Sequence, residues 1–181
     1  TRRFYTDGEL VGLYKAHLLS FIEYRTAAIY HATREVLARL DAVQDRFLRD
    51  AGVGPIDALV VFSLAPLSVR RAIAMLGIIH TSALGFGPDH FRKHFVCTSA
   101  TGRRHCIVDP RASLRHPVIK RSILGLIAVY NMLPVALIDC SSVASFQGGL
   151  QHLVTERAKA GREDWMVTLC PRVTLKRHPL N

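Results

Sequence analysis

The residue types that carry enzyme chemistry occur along this chain without the spacing that catalysis requires. The sequence contains no Gly-x-Ser-x-Gly element and no adjacent pair of aspartates, the kind of pair that holds two divalent metals for phosphoryl transfer. The glycine-rich segment 85–89 lacks the Lys-Ser/Thr that completes a phosphate-binding loop, which favours a helix end. We therefore predict that the protein is not an enzyme, with no catalytic residue, no cofactor and no small-molecule substrate.

Some residues near the middle of the chain are of the types that bind zinc: His94, Cys97, His105 and Cys106. Their spacing does not match the close Cys and His pairs of a zinc knuckle, so we predict no metal site. The other cysteines, at positions 140 and 170, are equally isolated. Because no spacing indicates a disulfide framework, we expect reduced thiols, which are typical of an intracellular protein.

Positive charge is the strongest chemical signal in the sequence. The 24 lysines and arginines against 14 acidic residues give a net charge of +10 and a pI near 10.0. Between residues 97 and 121 the hydrophobic periodicity is lost, and basic residues accumulate around the single acid Asp109: Arg103, Arg104, Arg111, Arg115, Lys120 and Arg121. This cluster predicts contact with a polyanion such as RNA or with an acidic protein surface. The alternative is a charge that serves solubility alone.

A second set of arginines, Arg39, Arg46 and Arg49, lies in the clearest amphipathic stretch of the chain. They fall on the side away from its apolar positions and could follow a phosphate backbone. The competing explanation is local pairing of Glu35 with Arg39 and of Arg46 with Asp50. Pairs four residues apart stabilise a solvated helix by only about 0.3–0.5 kcal/mol each.

Helices must position these charges, and the first is predicted from a capping box formed by Thr6 and Glu9. Apolar and aromatic positions then recur every three or four residues, as one helix face requires: Leu10, Leu13, Tyr14, His17, Leu18 and Phe21. His17 on this face and His80 further along are expected to be hydrogen-bonded core histidines. Three tyrosines could stack on bases or belong to the core: Tyr5, Tyr24 and Tyr30.

The second helix is predicted to begin after Thr33 and to end at Gly52. Its apolar seam has a spacing of 4, 3 and 4 residues: Val36, Leu40, Val43 and Phe47. A third helix should follow Pro66 and stop near Gly85, with one face formed by Val69, Ile73, Leu76 and His80. Pro88 is expected to open a short fourth segment.

The apolar segment from Ile123 to Ile138 is either a short strand or a buried helix, because periodicity alone does not separate these. Pro134 should interrupt it, which argues against a membrane span. Ser141 or Ser142 is expected to cap a last helix with one apolar face: Val143, Phe146, Leu150 and Leu153.

Together these elements predict a mainly α fold. We expect a helical unit over residues 1–96, a basic loop over 97–121, and a smaller C-terminal unit over 122–181 that ends in an amphipathic helix. With 49% hydrophobic residues and a mean hydropathy of +0.18, the chain has more apolar side chains than a free monomer usually needs. Part of its apolar surface should therefore face a partner protein.

Two parts of the chain resemble one known family. The first part begins with Leu13-Tyr14-Lys15 through Phe21-Ile22-Glu23-Tyr24 and continues with Leu40-Asp41-Ala42-Val43-Gln44-Asp45-Arg46-Phe47. It is similar to the start of the thumb region in non-LTR (LINE-type) retrotransposon reverse transcriptases. There a Tyr-Lys…Leu-Glu-Tyr helix precedes a Leu…Val-Gln-x-Arg helix. Residues 129–134, running into 142–150, resemble the Trp-Asn-Ser-Leu-Pro block near the end of the same polyproteins. The departures are Tyr130 for Trp, Met132 for Ser, and Gln147 for a Lys, and the last removes a positive charge.

The resemblance covers residues 10–153 and implies a thumb-like helical bundle without the palm, the region that carries the family's catalytic aspartates. It implies a non-catalytic, RNA-contacting structural subunit of a larger assembly, such as the ribosome of a mitochondrion or plastid. Two alternatives stay open. One is a protein-only accessory subunit of a large complex, such as a membrane assembly, and the other is an excised fragment of a retrotransposon polyprotein.

Overall fold

The computed structural model describes residues 4–95, 97–98, 106–108, 117–171 and 178–180, and these residues confirm a mainly α fold. The helices before residue 95 are α1 (Asp7–Leu13), a π-helix (Tyr14–Leu19), α2 (Ser20–Glu23), α3 (Thr26–Ile29), α4 (Arg34–Ala51), α5 (Pro55–Val60), α6 (Leu67–Ala83) and α7 (Asp89–Arg92). α1, the π-helix and α2 follow one another without a gap.

Two short strands and a second set of helices complete the described chain. The strands β1 (Cys97–Thr98) and β2 (Cys106–Ile107) are antiparallel and pair Cys97 with Ile107 and Thr98 with Cys106. The later helices are α8 (Pro117–Arg121), a 3-10 helix (Ile123–Leu126), α9 (Ile127–Met132), α10 (Val135–Ile138), α11 (Val143–Lys159) and a 3-10 helix (Trp165–Val167). The segment predicted as a basic loop thus contains a helical turn at its end.

The predicted start of the first helix is confirmed, but its predicted buried face is wrong. The Thr6 backbone N–H donates to the Glu9 carboxylate (2.7 Å) and the Glu9 N–H donates to Thr6 Oγ1 (3.3 Å), which closes the capping box. The buried side chains are Val11, Tyr14 and Leu19, whereas most of the predicted face is exposed: Leu13, His17, Leu18 and Phe21. The π-helix explains why Leu19 rather than Leu18 is buried, because its i→i+5 bonding adds a residue to the turn and rotates the positions within and after it.

The ends of α4 are also as predicted, while its seam is not. Thr33 caps the first turn and Gly52 closes the helix with a φ of 65°, the left-handed conformation that favours glycine. Val36 and Val43 of the predicted seam are 48% and 42% exposed. The buried face is instead formed by Leu37, Gln44, Leu48 and Ala51.

Polar contacts explain why α4 buries this face. The Gln44 side-chain amide donates to the backbone oxygen of Ala65 (3.0 Å) and accepts from the Tyr14 hydroxyl (3.5 Å). Asp41 forms an ion pair with Arg71 of α6 (2.7 Å). A buried polar group that finds its partners costs little, so an amphipathic pattern that counts only apolar residues misplaces the face.

The main core surrounds α6 and draws on both halves of the sequence. Leu76 and Ile79 of α6 are fully buried and share one apolar cluster with Phe146 and Leu150 of α11. His80 of α6 is also fully buried and stacks on Phe146. This cluster also contains Tyr30 from the N-terminal part and residues of α9. A smaller cluster, which includes Val11 and Leu48, joins the first helix to α4. The division of the chain at residues 96 and 122 stays a prediction.

All the regular secondary structure in the apolar segment 123–138 is helical. Pro134 separates α9 from α10, as predicted, and Ser142 caps α11 by accepting from the Ser145 N–H (3.1 Å). Within the described ranges, no helix combines the length and the apolar character needed to cross a membrane.

Candidate polyanion-binding surface

The three arginines of α4 all lie on its solvent side. Arg39, Arg46 and Arg49 are exposed, opposite the face that contacts α6. Arg39 and Arg46 are two helical turns apart, about 10 Å along the axis, and Arg49 lies about one turn further. The helix therefore presents three guanidinium groups along one exposed side.

Local pairing accounts for only one of these arginines. Arg46 lies 3.8 Å from Asp50, with side chains that are 80% and 74% exposed, so this pair contributes at most a few tenths of a kcal/mol. The predicted pair between Glu35 and Arg39 does not form. Among the described residues, neither Arg39 nor Arg49 has an acidic side chain within ion-pair distance.

Glu35 lies in the first turn of α4. Hydrogen bonds from its own backbone N–H and from Thr33 lower the pKa of its carboxyl group, and the charges of Arg34 and Arg121 lower that pKa further. Arg121, at the end of α8, therefore contributes positive charge to the surroundings of the first turn of α4.

The two described members of that loop differ in exposure. Lys120 is exposed, whereas Arg121 is half-buried and its Nε has no hydrogen-bond partner among the residues that the structure describes. Lys120 is available to a ligand in solution. The remaining predicted loop residues lie outside the described ranges: Arg103, Arg104, Arg111 and Arg115.

Other arginines hold the fold together. Arg70 forms a two-point ion pair with Glu23 of α2, and the Nη2–Oε2 distance is 3.0 Å. Arg71, almost fully buried, makes a similar two-point contact with Asp41, at 2.7 and 3.0 Å. These paired side chains join α2 and α4 to α6, so they do not add to the charge that an outside ligand meets.

A cleft of about 490 Å³ lies between α4, α6 and the segment 166–171. Its lining is mainly apolar, with Leu37 and Val69 among the side chains. Asp41 and Arg71 also line the cleft and form an ion pair with each other. Because their charges cancel, this pair adds no net charge to the cleft.

The histidines that the sequence places in the core have different fates. His80 is fully buried, with Nδ1 3.0 Å from the Tyr130 hydroxyl and Nε2 2.9 Å from the Cys140 carbonyl oxygen, which confirms the prediction. His17 is exposed, so the prediction for it is wrong. Of the three tyrosines considered for base stacking, Tyr30 is buried, and Tyr24 is 87% exposed.

Tyr5, the third tyrosine considered for base stacking, is 45% exposed.

Cys140 and Cys170 are free thiols. In the part of the chain that the structure describes, no three His, Cys, Asp or Glu side chains come together as a metal site would require. The side chains of Cys97 and Cys106 and the whole of His105 lie outside the described set, so the predicted absence of zinc ligation stays a prediction.

Arg34 is a further exposed arginine of α4 that the sequence interpretation did not consider. It follows the cap residue Thr33 directly, and its charge lowers the pKa of the neighbouring Glu35. An arginine directly after a predicted N-cap was the signal in the sequence.

The comparisons with known proteins found no family model, no curated protein and no solved structure that matches this chain. The resemblance to reverse transcriptases therefore depends on the motif residues alone. In the fold, Tyr14 of the Tyr-Lys…Leu-Glu-Tyr helix donates a hydrogen bond to Gln44 of the Leu…Val-Gln-x-Arg helix. Burial raises the pKa of this tyrosine to about 12.

The C-terminal motif residues also make structural contacts. The Asn131 side chain accepts from the Ile107 N–H (3.0 Å) and donates to the Ile107 carbonyl oxygen (2.7 Å), so it holds β2 as a neighbouring strand would. Gln147, where the family has Lys, packs against Gly77 of α6: a Cβ built on Gly77 would lie 2.4 Å from it. A residue in that place faces the core rather than a phosphate.

Proposed function

We propose that this chain is a non-catalytic, RNA-contacting structural subunit of a larger assembly, such as an organellar ribosome, and that it derives from the thumb region of a reverse transcriptase. The observation that carries the proposal is the exposed side of α4, where Arg39 and Arg49 meet no acidic partner among the described residues. We include Lys120 of α8 in the proposed surface, because it is exposed and adjacent in sequence to Arg121, whose charge acts on Glu35 of α4.

The chemistry of this surface suits a phosphate backbone better than a single small anion. Guanidinium groups spaced along an exposed helix can each contact a different phosphate, and every phosphate neutralised releases condensed counterions. Arg46 can exchange its weak contact with Asp50 for a phosphate at little cost, because both side chains are exposed. Such a surface binds RNA through its backbone and carries little sequence information.

The proposed kinship is supported by contacts of the two helices that resemble the start of the thumb region. Tyr14 and Gln44 belong to different motif helices and are joined by a buried hydrogen bond. Glu23, also in the first motif, pairs with Arg70 and fixes α2 on α6. These contacts give the motif residues a structural reason to occur together.

Charge reversal tests the proposal. Arg39→Glu, Arg49→Glu and Lys120→Glu combined should reduce affinity for a single-stranded RNA by at least tenfold at low salt, because three phosphate contacts become repulsive. All three residues are exposed, so the fold should be retained, which far-UV circular dichroism will check. Affinity is measured by fluorescence anisotropy with a labelled oligonucleotide.

The matched control reverses three exposed basic residues elsewhere: Lys93, Lys159 and Arg162. It changes the net charge by the same amount. If both triple variants lose affinity equally, net charge alone is responsible and the α4 surface is not the binding site. Unchanged affinity in the first variant contradicts the proposal outright.

A second candidate function is a protein-only accessory subunit of a large complex. The exposed apolar side chains of the first helix favour it, since Phe21 is 74% and Leu18 is 48% exposed. Co-purification with the same assembly after complete nuclease digestion, and with the Arg39/Arg49/Lys120 variant, would support this candidate over the first.

A further inference from the structure

The first helix presents an exposed stripe on the side that faces away from the core. The stripe residues follow at intervals of four, the last of them in the turn after α2, and all are exposed: Glu9, Leu13, His17, Phe21 and Arg25. The Glu9 carboxylate also closes the capping box with Thr6. Leu18 and Tyr24 flank the stripe, at 48% and 87% exposure. We call these five residues the α1 stripe.

The π-helix is what makes the stripe straight. In an α-helix, positions four apart advance by more than one full turn and drift around the axis. In the wider π turn between Tyr14 and Leu19 four residues fall short of a full turn, so the two offsets oppose each other. Leu13, His17 and Phe21 therefore stay in line along the helix.

This helix is apolar on two sides. Val11, Tyr14 and Leu19 are buried against the smaller core, and Leu13 and Phe21 stand exposed on the other side. A helix with apolar residues all round is typical of one covered on both sides. Within the described residues only one of these sides is covered.

The order of the α1 stripe is self-complementary. If a second copy is laid antiparallel, with the two-fold axis at His17, Leu13 of each copy faces Phe21 of the other. Glu9 then faces Arg25 of the other copy, so opposite charges meet at both ends. An isologous contact requires this kind of symmetry in a single patch.

Charge and area favour a second copy over a polyanion. The stripe carries one acid and one base, so it has no net charge of its own at the contact. The large exposed side chains on the stripe and its flanks are Leu13, Leu18, Phe21 and Tyr24, and the two aromatic ones can each bury about 150–250 Å². A standard interface buries about 800 Å² on each partner.

We propose that two copies of this chain associate through the α1 stripe as an antiparallel, two-fold dimer. Phe21 inserts beside Leu13 of the other copy at the centre of each half, and Glu9 and Arg25 fix the direction. The contact uses none of the arginines assigned to RNA, so it is independent of the proposed function.

Two phenylalanines provide a matched test, because Phe21 is 74% exposed on the stripe and Phe86 is 77% exposed beyond the end of α6. Sedimentation equilibrium of the whole chain should show a dimer for the wild type and for Phe86→Ser. Phe21→Ser should weaken dimerisation at least tenfold, since central aromatic residues dominate interface energetics. A wild-type monomer throughout the micromolar range, or equal dimerisation of the two variants, overturns the proposal.

A cysteine at the two-fold axis tests the geometry directly. His17→Cys should give a disulfide-linked dimer under mild oxidation, because the two side chains face each other there. The control Val61→Cys, at an apolar position that is 65% exposed outside the stripe, should remain largely unlinked. Equal cross-linking at both positions would contradict the antiparallel arrangement.

Discussion

At the scale of single residues, His80 shows how this core accepts a polar side chain. Its Nε2 faces the Cys140 carbonyl oxygen at 2.9 Å, and a carbonyl can only accept, so the ring proton lies on Nε2. Nδ1 then accepts from the Tyr130 hydroxyl at 3.0 Å. The ring stacks on Phe146, with centroids 4.1 Å apart. Both ring nitrogens of His80 thus have a hydrogen-bond partner inside an apolar cluster.

Removing the hydroxyl group of Tyr130 tests this arrangement. Tyr130→Phe should lower the free energy of unfolding by about 1–2 kcal/mol, because Nδ1 of His80 loses its donor where water cannot replace it. Urea denaturation followed by circular dichroism measures the change. Tyr24→Phe is the control, since Tyr24 is 87% exposed and its loss should change stability little. Equal stability of the two variants would show that the Tyr130 hydroxyl contributes nothing.

At the scale of elements, the sequence predicts helix ends better than helix faces. Thr6, Thr33, Gly52 and Ser142 act locally, through their own hydrogen bonds or φ angle, and each ends or begins a helix as predicted. The buried faces of the first helix and of α4 depend on what lies opposite them. The π-helix in the first helix and the hydrogen bonds of Gln44 in α4 explain why other residues are buried than those that the spacing of apolar residues predicts.

The same distinction applies to the candidate site. The outward direction of Arg39, Arg46 and Arg49 could be predicted, because charged side chains on an amphipathic helix avoid its core side. The approach of Arg121 to Glu35 could not, since it joins residues far apart in the sequence. Only the packing of the helices between them decides that distance.

Gly125, in the 3-10 helix after α8, lies close against the backbone of Lys120, and this close approach can be tested. A Cβ on Gly125 would lie 2.2 Å from the backbone oxygen of Lys120, and a backbone atom cannot give way cheaply. Gly125→Ala should therefore destabilise the protein by about 1–3 kcal/mol. The change is measured as a shift in urea midpoint.

Gly148 of α11 is the matched control. It is exposed and a Cβ there meets nothing within 4 Å, so Gly148→Ala should stabilise the helix by up to about 1 kcal/mol. Opposite signs for the two substitutions support the close approach at Gly125. A Gly125→Ala variant as stable as Gly148→Ala would refute it.

At the scale of the whole molecule, the exposed arginines and the exposed apolar stripe lie on different helices. The outer side of α4 carries arginines, while the α1 stripe has one acid and one base among apolar residues. The smaller core holds both in place, since it contains Val11 of the first helix and Leu48 of α4 together with Leu67 of α6. A protein built in this way can contact a polyanion and another protein surface at the same time.

The dependence of RNA affinity on salt tests the central claim most directly. If Arg39, Arg49, Lys120 and their neighbours each neutralise a phosphate, three or more contacts predict a slope of about −2 or steeper for log affinity against log salt with single-stranded RNA. Between 50 and 200 mM salt the affinity of the wild-type chain should then fall at least about tenfold. An affinity that does not change over this range, or no binding even at 50 mM salt, would contradict the account.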